Sequence, residues 1–251
     1  MPTHKYDDEF YEGQRSGSRQ SAHVILPIVM DLVGQVRSVL DVGCGVGTWL
    51  AEVTRLGVQD IVGLDGAYVD RAKLEVPDGF FVPVDLTTST DLGRTFDLVM
   101  SLEVAEHLPE EAAPEFVQTM ARHGDVILFS AAPPGQGGTH HVNERWLSYW
   151  LDHFTAYGFQ SFDVLRPIIW SAETIEPWYR QNVVLLARGA AAERLHATVA
   201  DRGLPFMTVT DVVHPGVLAD NVNNRVQASL RPMLQRLPGI ARAAVVSRIK
   251  I

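Results

Sequence analysis

Residues 38–49 read S-V-L-D-V-G-C-G-V-G-T-W. A short apolar run, Val39, Leu40 and Val42, leads into three glycines at alternating positions, Gly43, Gly45 and Gly47. A helical pattern starts directly after them, at Thr48. The order is strand, Gly-rich turn, helix N-terminus. Without Cβ atoms the turn's backbone approaches a ligand closely. The helix start adds unpaired N–H groups and a partial positive charge. A small, polar, nucleotide-like ligand is expected here.

Outward from this turn the alternation is regular. Apolar, strand-like runs fall at residues 39–42, 61–64, 80–84, 98–102 and 126–129. Helical patterns fit between them at 49–56 and 110–122, with shorter candidates at 69–74 and near Asp91. Strands alternating with helices predict a parallel sheet covered on both faces, an α/β fold. Their nearly continuous apolar character suits strands buried on both sides. A Pro- and Gly-rich loop, S-A-A-P-P-G-Q-G-G-T-H-H-V-N-E (residues 130–144), follows the fifth strand, where open α/β sheets bind their ligands. An aromatic helix is expected over 146–157, ended by Gly158. Two further strands are expected at 162–169 and 183–187, joined by a connection of some length.

Three segments result. Residues 1–36 form an N-terminal segment, in which 1–21 read as a frayed terminus or a lid and 21–36 as an amphipathic helix. Its stripe is Val24, Ile28 and Leu32, and Pro27 kinks it or marks its start. Residues 37–189 form the α/β domain. Residues 190–251 form a C-terminal helical extension, with helices at 190–195 and 230–248. That extension has three readings: a homodimerisation arm, a cover on the substrate side, or a weakly ordered tail.

The 251 residues are 46% hydrophobic and 20% charged, an ordinary globular composition, with a formal net charge of −9. That charge argues against a nucleic-acid-binding surface, which needs clustered Lys and Arg. The single cysteine, Cys44, excludes an intrachain disulfide and fits a reducing compartment. The first residues carry no apolar signal region, and no apolar stretch reaches the length of a membrane span. A soluble cytoplasmic protein is the expectation.

The turn's details discriminate among nucleotides. A triphosphate loop needs a Lys followed by Ser or Thr, and none is present. A dinucleotide fingerprint would need Gly or Ala where Thr48 stands. The pattern is D-x-G-x-G-x-G, with Asp41 two residues before the first glycine. A carboxylate there repels a pyrophosphate and suits an ammonium group. At this point the chain resembles the class I S-adenosylmethionine-dependent methyltransferases over residues 38–188. D-V-G-C-G-V-G-T (41–48) resembles their first motif, whose backbone, Gly43 and Gly45 here, cradles the methionine part of the cofactor while Asp41 orients its amino group. G-L-D-G (63–66) places Asp65 where an acid takes both ribose hydroxyls. V-P-V-D-L (82–86) places Asp85 and Leu86 near the adenine. F-D-L-V-M-S-L-E-V-A-E-H-L (96–108) resembles the fourth motif. The resemblance implies a Rossmann-like seven-stranded sheet of order 3-2-1-4-5-7-6, the last strand antiparallel. By the same analogy Tyr11, Gln14 and Ser18 form a lid over the cofactor, and Glu103 helps line its pocket.

The receiving end is less determined. An aliphatic hydroxyl acceptor benefits from a general base near neutral pKa, for which His is suited. His140 and His141, adjacent in the loop after the fifth strand, are the first candidates, with His107 a third. In E-V-A-E-H, a helical turn would bring Glu103, Glu106 and His107 onto one face as ligands for a divalent cation, magnesium first. The same arrangement resembles ubiquinone-pathway O-methyltransferases, where it is associated with a divalent metal. The loop G-G-T-H-H-V-N-E-R-W resembles, more loosely, methyltransferases of sugar and glycosylated-metabolite pathways. The expectation is therefore an O-methyltransferase of a small, sugar-like hydroxyl. The competing classes are a methyltransferase of another metabolite, a protein or RNA, and a non-catalytic cofactor-binding subunit.

Overall fold

The computed structural model describes residues 8–221, with side chains from residue 17 onward. Residues up to His214 form one compact unit; a second begins at Pro215, of which residues 215–221 are described and helical. The helix expected at 230–248 lies outside the described residues.

The first unit opens with helix α1 (Asp8–Val33), followed by β1 (Ser38–Val42), α2 (Thr48–Arg55), β2 (Asp60–Asp65) and β3 (Phe81–Pro83). Next come β4 (Leu98–Leu102), α3 (Ala113–His123), β5 (Val126–Ser130) and α4 (Leu147–Thr155). The unit ends with β6 (Gln160–Phe162), α5 (Leu165–Ile169), α6 (Pro177–Asn182), β7 (Val184–Ala187) and α7 (Gly189–Asp201). The seven strands form one sheet in the order β3-β2-β1-β4-β5-β7-β6. β7 runs antiparallel to both β5 and β6, and the other pairs are parallel. This is the Rossmann-like order that the family resemblance implied.

Apolar cores lie on both faces of the sheet. Ile25, Leu26 and Val29 of α1, Leu50 and Val53 of α2, and Leu195 of α7 share one cluster with Val39, Met100 and Leu128. Phe116 and Met120 of α3, with Trp150 and Phe154 of α4, share the other with Leu40, Val99 and Phe129. Alternate residues of one strand thus serve opposite cores, and β4 and β5 are buried along their whole length. That two-sided burial is why their sequences read as unbroken apolar runs.

Four expectations need correction. α1 starts at Asp8, so helix extends well upstream of Ser21, and its buried stripe is Ala22, Ile25, Leu26, Val29 and Leu32. Pro27 sits inside it on an exposed position. Residues 162–169 are not one strand. β6 ends at Phe162, and α5 takes over because Arg166 is buried against Asp163, three residues back, a spacing that a helical turn satisfies. Among the described residues no helix forms near Asp91, and 69–74 contains only a 3-10 turn at Arg71–Lys73. The connection before β7 contains α6. No helix of the described residues is long and apolar enough to cross a membrane.

Candidate active site

The glycine turn sits at the carboxyl end of β1, and its backbone explains its sequence. Gly43, Gly45 and Gly47 all have positive φ, +87°, +55° and +84°. A Cβ on Gly43 would lie 2.4 Å from the Val104 side chain, and one on Gly47 would lie 2.9 Å from Val76. At Gly45 nothing lies within 4 Å, so the middle glycine faces open space. The Gly43 and Cys44 amides donate to the Leu64 carbonyl at 2.7 and 3.0 Å, which pins the turn onto β2. Gly47 is the N-cap of α2 and supplies no capping side chain, leaving first-turn amides to face the cradle.

Two carboxylates line this turn. Asp41 is 4% exposed, and its pKa is pushed up to about 8 by burial first and the Asp65 charge second. Asp65 accepts from the Gly45 amide on Oδ2 (2.7 Å), and from the Gly66 amide and the Tyr68 hydroxyl on Oδ1 (both 2.6 Å). The Cys44 thiol between them is pushed up by burial and by both acids, so it stays protonated. Two buried acids side by side, with no ion pair among the described residues, suit a ligand that brings an ammonium group and hydroxyl donors. Asp85 follows β3; its Oδ1 accepts from the Thr87 hydroxyl (2.6 Å) and amide (2.9 Å), which hold its pKa down, while Leu86 beside it is buried.

The second half of the site forms after β4. Glu103 is one of two described non-glycine residues at positive φ, +55°, with its amide shared between the carbonyl and hydroxyl of Ser130. This left-handed residue prevents the expected helical face. Only a 3-10 turn, Ala105–His107, follows it. The Glu103 carboxylate turns to Asn182 Nδ2 (3.0 Å) and Gln136 Nε2 (2.8 Å). The expected trio of Glu103, Glu106 and His107 is therefore not the one assembled. Glu106, His107 and His141 each offer one ligand atom, all within 4.8 Å of one another.

His141 arrives because the loop after β5 folds back onto the 3-10 turn. The amides of Val142 and Asn143 both donate to the Glu106 carbonyl, at 2.9 and 3.0 Å. The His141 ring meets His107 edge-on, centroids 4.8 Å apart. Its Nε2 lies 4.0 Å from Glu106 Oε1, and its Nδ1 lies 3.0 Å from Glu144 Oε1. Glu106 is fully buried, and burial, then the Glu103 charge, drives its pKa well up, against the Glu106 and Ala132 backbone groups, which lower it. His107 is pushed down by burial and by His141; the His140 backbone, which hydrogen-bonds the ring, and the Asp65 charge oppose the shift. His140 itself is exposed at φ +62°. The structure thus separates the two adjacent histidines.

The remaining lid candidates divide. Ser18 Oγ lies 3.2 Å from the Tyr179 hydroxyl on α6. Tyr11 and Gln14 belong to α1, but their side chains fall outside the description. Glu144, Tyr68, Gln136 and Asn182 were not anticipated. Only Glu144 carried a signal, standing three residues after His141 at the end of the loop.

Comparison with known proteins agrees with this geometry. A family model described as a methyltransferase domain matches residues 18–175. The dTDP-3-amino-3,4,6-trideoxy-alpha-D-glucopyranose N,N-dimethyltransferase of Streptomyces venezuelae is 27% identical over 207 residues, 82% of this chain and 79% of that protein. The ubiquinone biosynthesis O-methyltransferase of Cereibacter sphaeroides is 37% identical over 121 residues, 45% of this chain and 49% of that enzyme. Its Mesorhizobium japonicum counterpart is 37% identical over 78 residues, covering 29% of this chain and 31% of that enzyme. The chain thus spans less than half the length of these two O-methyltransferases. Among solved structures, Streptomyces venezuelae DesVI superposes with a TM-score of 0.57 at 18% identity, covering 74% of this chain and all of that one. The sugar N-methyltransferase KedS8 from Streptoalloteichus sp ATCC 53650 has the same TM-score of 0.57 at 20% identity, covering 75% and 97%. With the strand order, the glycine cradle and the matched family model in place, the chain belongs to the class I S-adenosylmethionine-dependent methyltransferases.

Proposed function

We propose that this protein transfers a methyl group from S-adenosylmethionine to a hydroxyl of a sugar-like small molecule. The cofactor fits the residues present. Asp65 would take the ribose hydroxyls, Asp41 the ammonium group, the Gly43–Gly45 backbone the methionine part, and Asp85 with Leu86 the adenine side. The open space over Gly45 leaves room for it. When bound, the cofactor supplies an electrophilic methyl on a sulfonium.

The observation that carries the hydroxyl reading is the His107–His141 pair at the carboxyl end of β4. Methyl transfer is in-line, so positioning does much of the work. A hydroxyl still has to lose its proton, and a neutral imidazole accepts it. In this reading His141 takes the proton at Nε2, and His107, whose pKa is held down, keeps a second neutral ring against it. The sugar class is supported by the activity named for the Streptomyces venezuelae relative, and oxygen as acceptor by that of the ubiquinone relatives. The test is a screen of hydroxylated sugars, glycosides and amino sugars for transfer of labelled methyl, with products resolved by mass spectrometry. Methyl ethers are the expected products; methylation confined to amines would sink the hydroxyl reading.

A second reading is favoured by Glu106. A fully buried carboxyl beside two imidazoles is a site a divalent cation would complete. One carboxylate and two imidazoles suit a borderline ion such as Mn²⁺ or Zn²⁺ better than magnesium.

A further inference from the structure

We infer that Glu144 is a positioning residue that holds His141 as the Nδ1–H tautomer, leaving a bare Nε2 on the side of Glu106. The role rests on His141 acting as base; the tautomer can be tested without it.

The Glu144 carboxylate gathers three donors from its own loop. The Gly135 amide reaches Oε2 at 2.8 Å, the Gly137 amide reaches Oε1 at 2.8 Å, and His141 Nδ1 reaches Oε1 at 3.0 Å. An ionised carboxylate only accepts, so the imidazole nitrogen facing it carries the hydrogen. In a neutral ring the other nitrogen then holds the lone pair. Among the described residues Nε2 meets no comparable acceptor, since Glu106 Oε1 at 4.0 Å lies beyond hydrogen-bond reach. The ring is also held sterically. It packs over Gly138, where an added Cβ would lie 2.2 Å from Nε2.

One side chain therefore sets both the path of the loop and the orientation of the ring. The residues on either side of Glu144 are held independently. Val142 and Asn143 bond the Glu106 carbonyl, and Arg145 bonds Asn143 Oδ1 at 3.0 Å and pairs with Glu110. Loss of the Glu144 carboxylate should free the 135–141 stretch while leaving the rest of the loop anchored.

The experiment is long-range ¹H–¹⁵N correlation on the full chain with labelled histidine and chelator present, at a pH where imidazoles are neutral, assigning His141 by difference from H141A. The wild-type ring should show Nδ1 protonated and Nε2 bare. E144A should shift the ring toward the Nε2–H form. E144Q, whose amide oxygen still accepts from Nδ1, should keep the wild-type tautomer. With an active acceptor in hand, E144A should lower kcat about 10–100-fold with cofactor affinity unchanged, and E144Q should recover part of that loss. A wild-type ring protonated on Nε2 overturns the assignment, as does an E144A ring of unchanged tautomer. If H141A turns over normally, the base reading fails, while the spectra still decide what Glu144 does.

Discussion

The Tyr68 hydroxyl donates to Asp65 Oδ1 at 2.6 Å, on the carboxylate whose Oδ2 takes the Gly45 amide. In the proposed reading a ribose diol needs the same acceptors, so Tyr68 would compete with the cofactor for Asp65. Tyr68→Phe should tighten S-adenosylmethionine binding about 2–10-fold, the worth of one hydrogen bond of about 0.5–1.5 kcal/mol. Asp65→Ala should weaken it by about 100-fold or more, since charge-assisted bonds are each worth about 1.5–3 kcal/mol. Isothermal titration reads both; unchanged affinity in the Asp65 variant would remove it from the cofactor site.

Asp41 links binding to protons. Its carboxyl titrates near 8 in the folded chain against 3.8 as a free side chain. Between those values the folded state keeps a proton that the unfolded state has lost, so this group lowers stability as pH rises across the window. An ammonium group beside Asp41 reverses the shift. Cofactor binding at neutral pH should therefore release about one proton, seen as a dependence of binding heat on buffer ionisation enthalpy. Asp41→Asn should abolish that dependence. Heats independent of buffer in the wild type would count against ammonium at Asp41.

The two adjacent histidines should behave differently. His141→Ala should lower turnover about 10²–10⁴-fold, the range of general-base catalysis, without loss of cofactor affinity. His140, exposed and outside the Glu106, His107 and His141 group, should tolerate Ala far better. Equal losses in both variants would show that the loop as a whole matters rather than the His141 ring.

The cation reading is tested with chelator. Activity should disappear in excess EDTA and return with Mn²⁺ or Zn²⁺ more fully than with Mg²⁺, because two of three ligands are imidazoles. Full activity under chelation would remove the cation and leave the base.

A last prediction concerns stability. Arg166, 1% exposed, pairs with Asp163 and donates to the carbonyls of Gln181 (3.2 Å) and Thr210 (2.8 Å). Arg166→Met removes one partner of a buried pair, which costs about 3–5 kcal/mol. Asp163, already pushed up by burial, would then hold its proton more readily, so the loss should shrink at low pH. Denaturant unfolding at two pH values checks this; a loss below about 1 kcal/mol would mean the pair is dispensable.

The sheet was readable because its determinants are local. Strands buried on both faces read as unbroken apolar runs, and the Gly43–Gly47 turn reports backbone torsions that other residues resist. The failures share one cause. Residues 162–169 read as a strand because a short apolar run has no period of its own, and only the burial of Arg166 against Asp163 shows that a helix begins there. The spacing of Glu103, Glu106 and His107 implied a common face only on the assumption of a helix, which Glu103 breaks at φ +55°.

The sequence alone determined the sheet and its glycine turn, because the strands that carry Asp41 and Asp65 and the one before Asp85 read as local apolar runs. Which histidine meets Glu106 and His107 was decided by tertiary structure. His140 and His141 are equivalent as letters. They differ because two amides of the β5–α4 loop bond the Glu106 carbonyl and Glu144 draws one ring inward, contacts between residues whose spacing in the chain carries no local period.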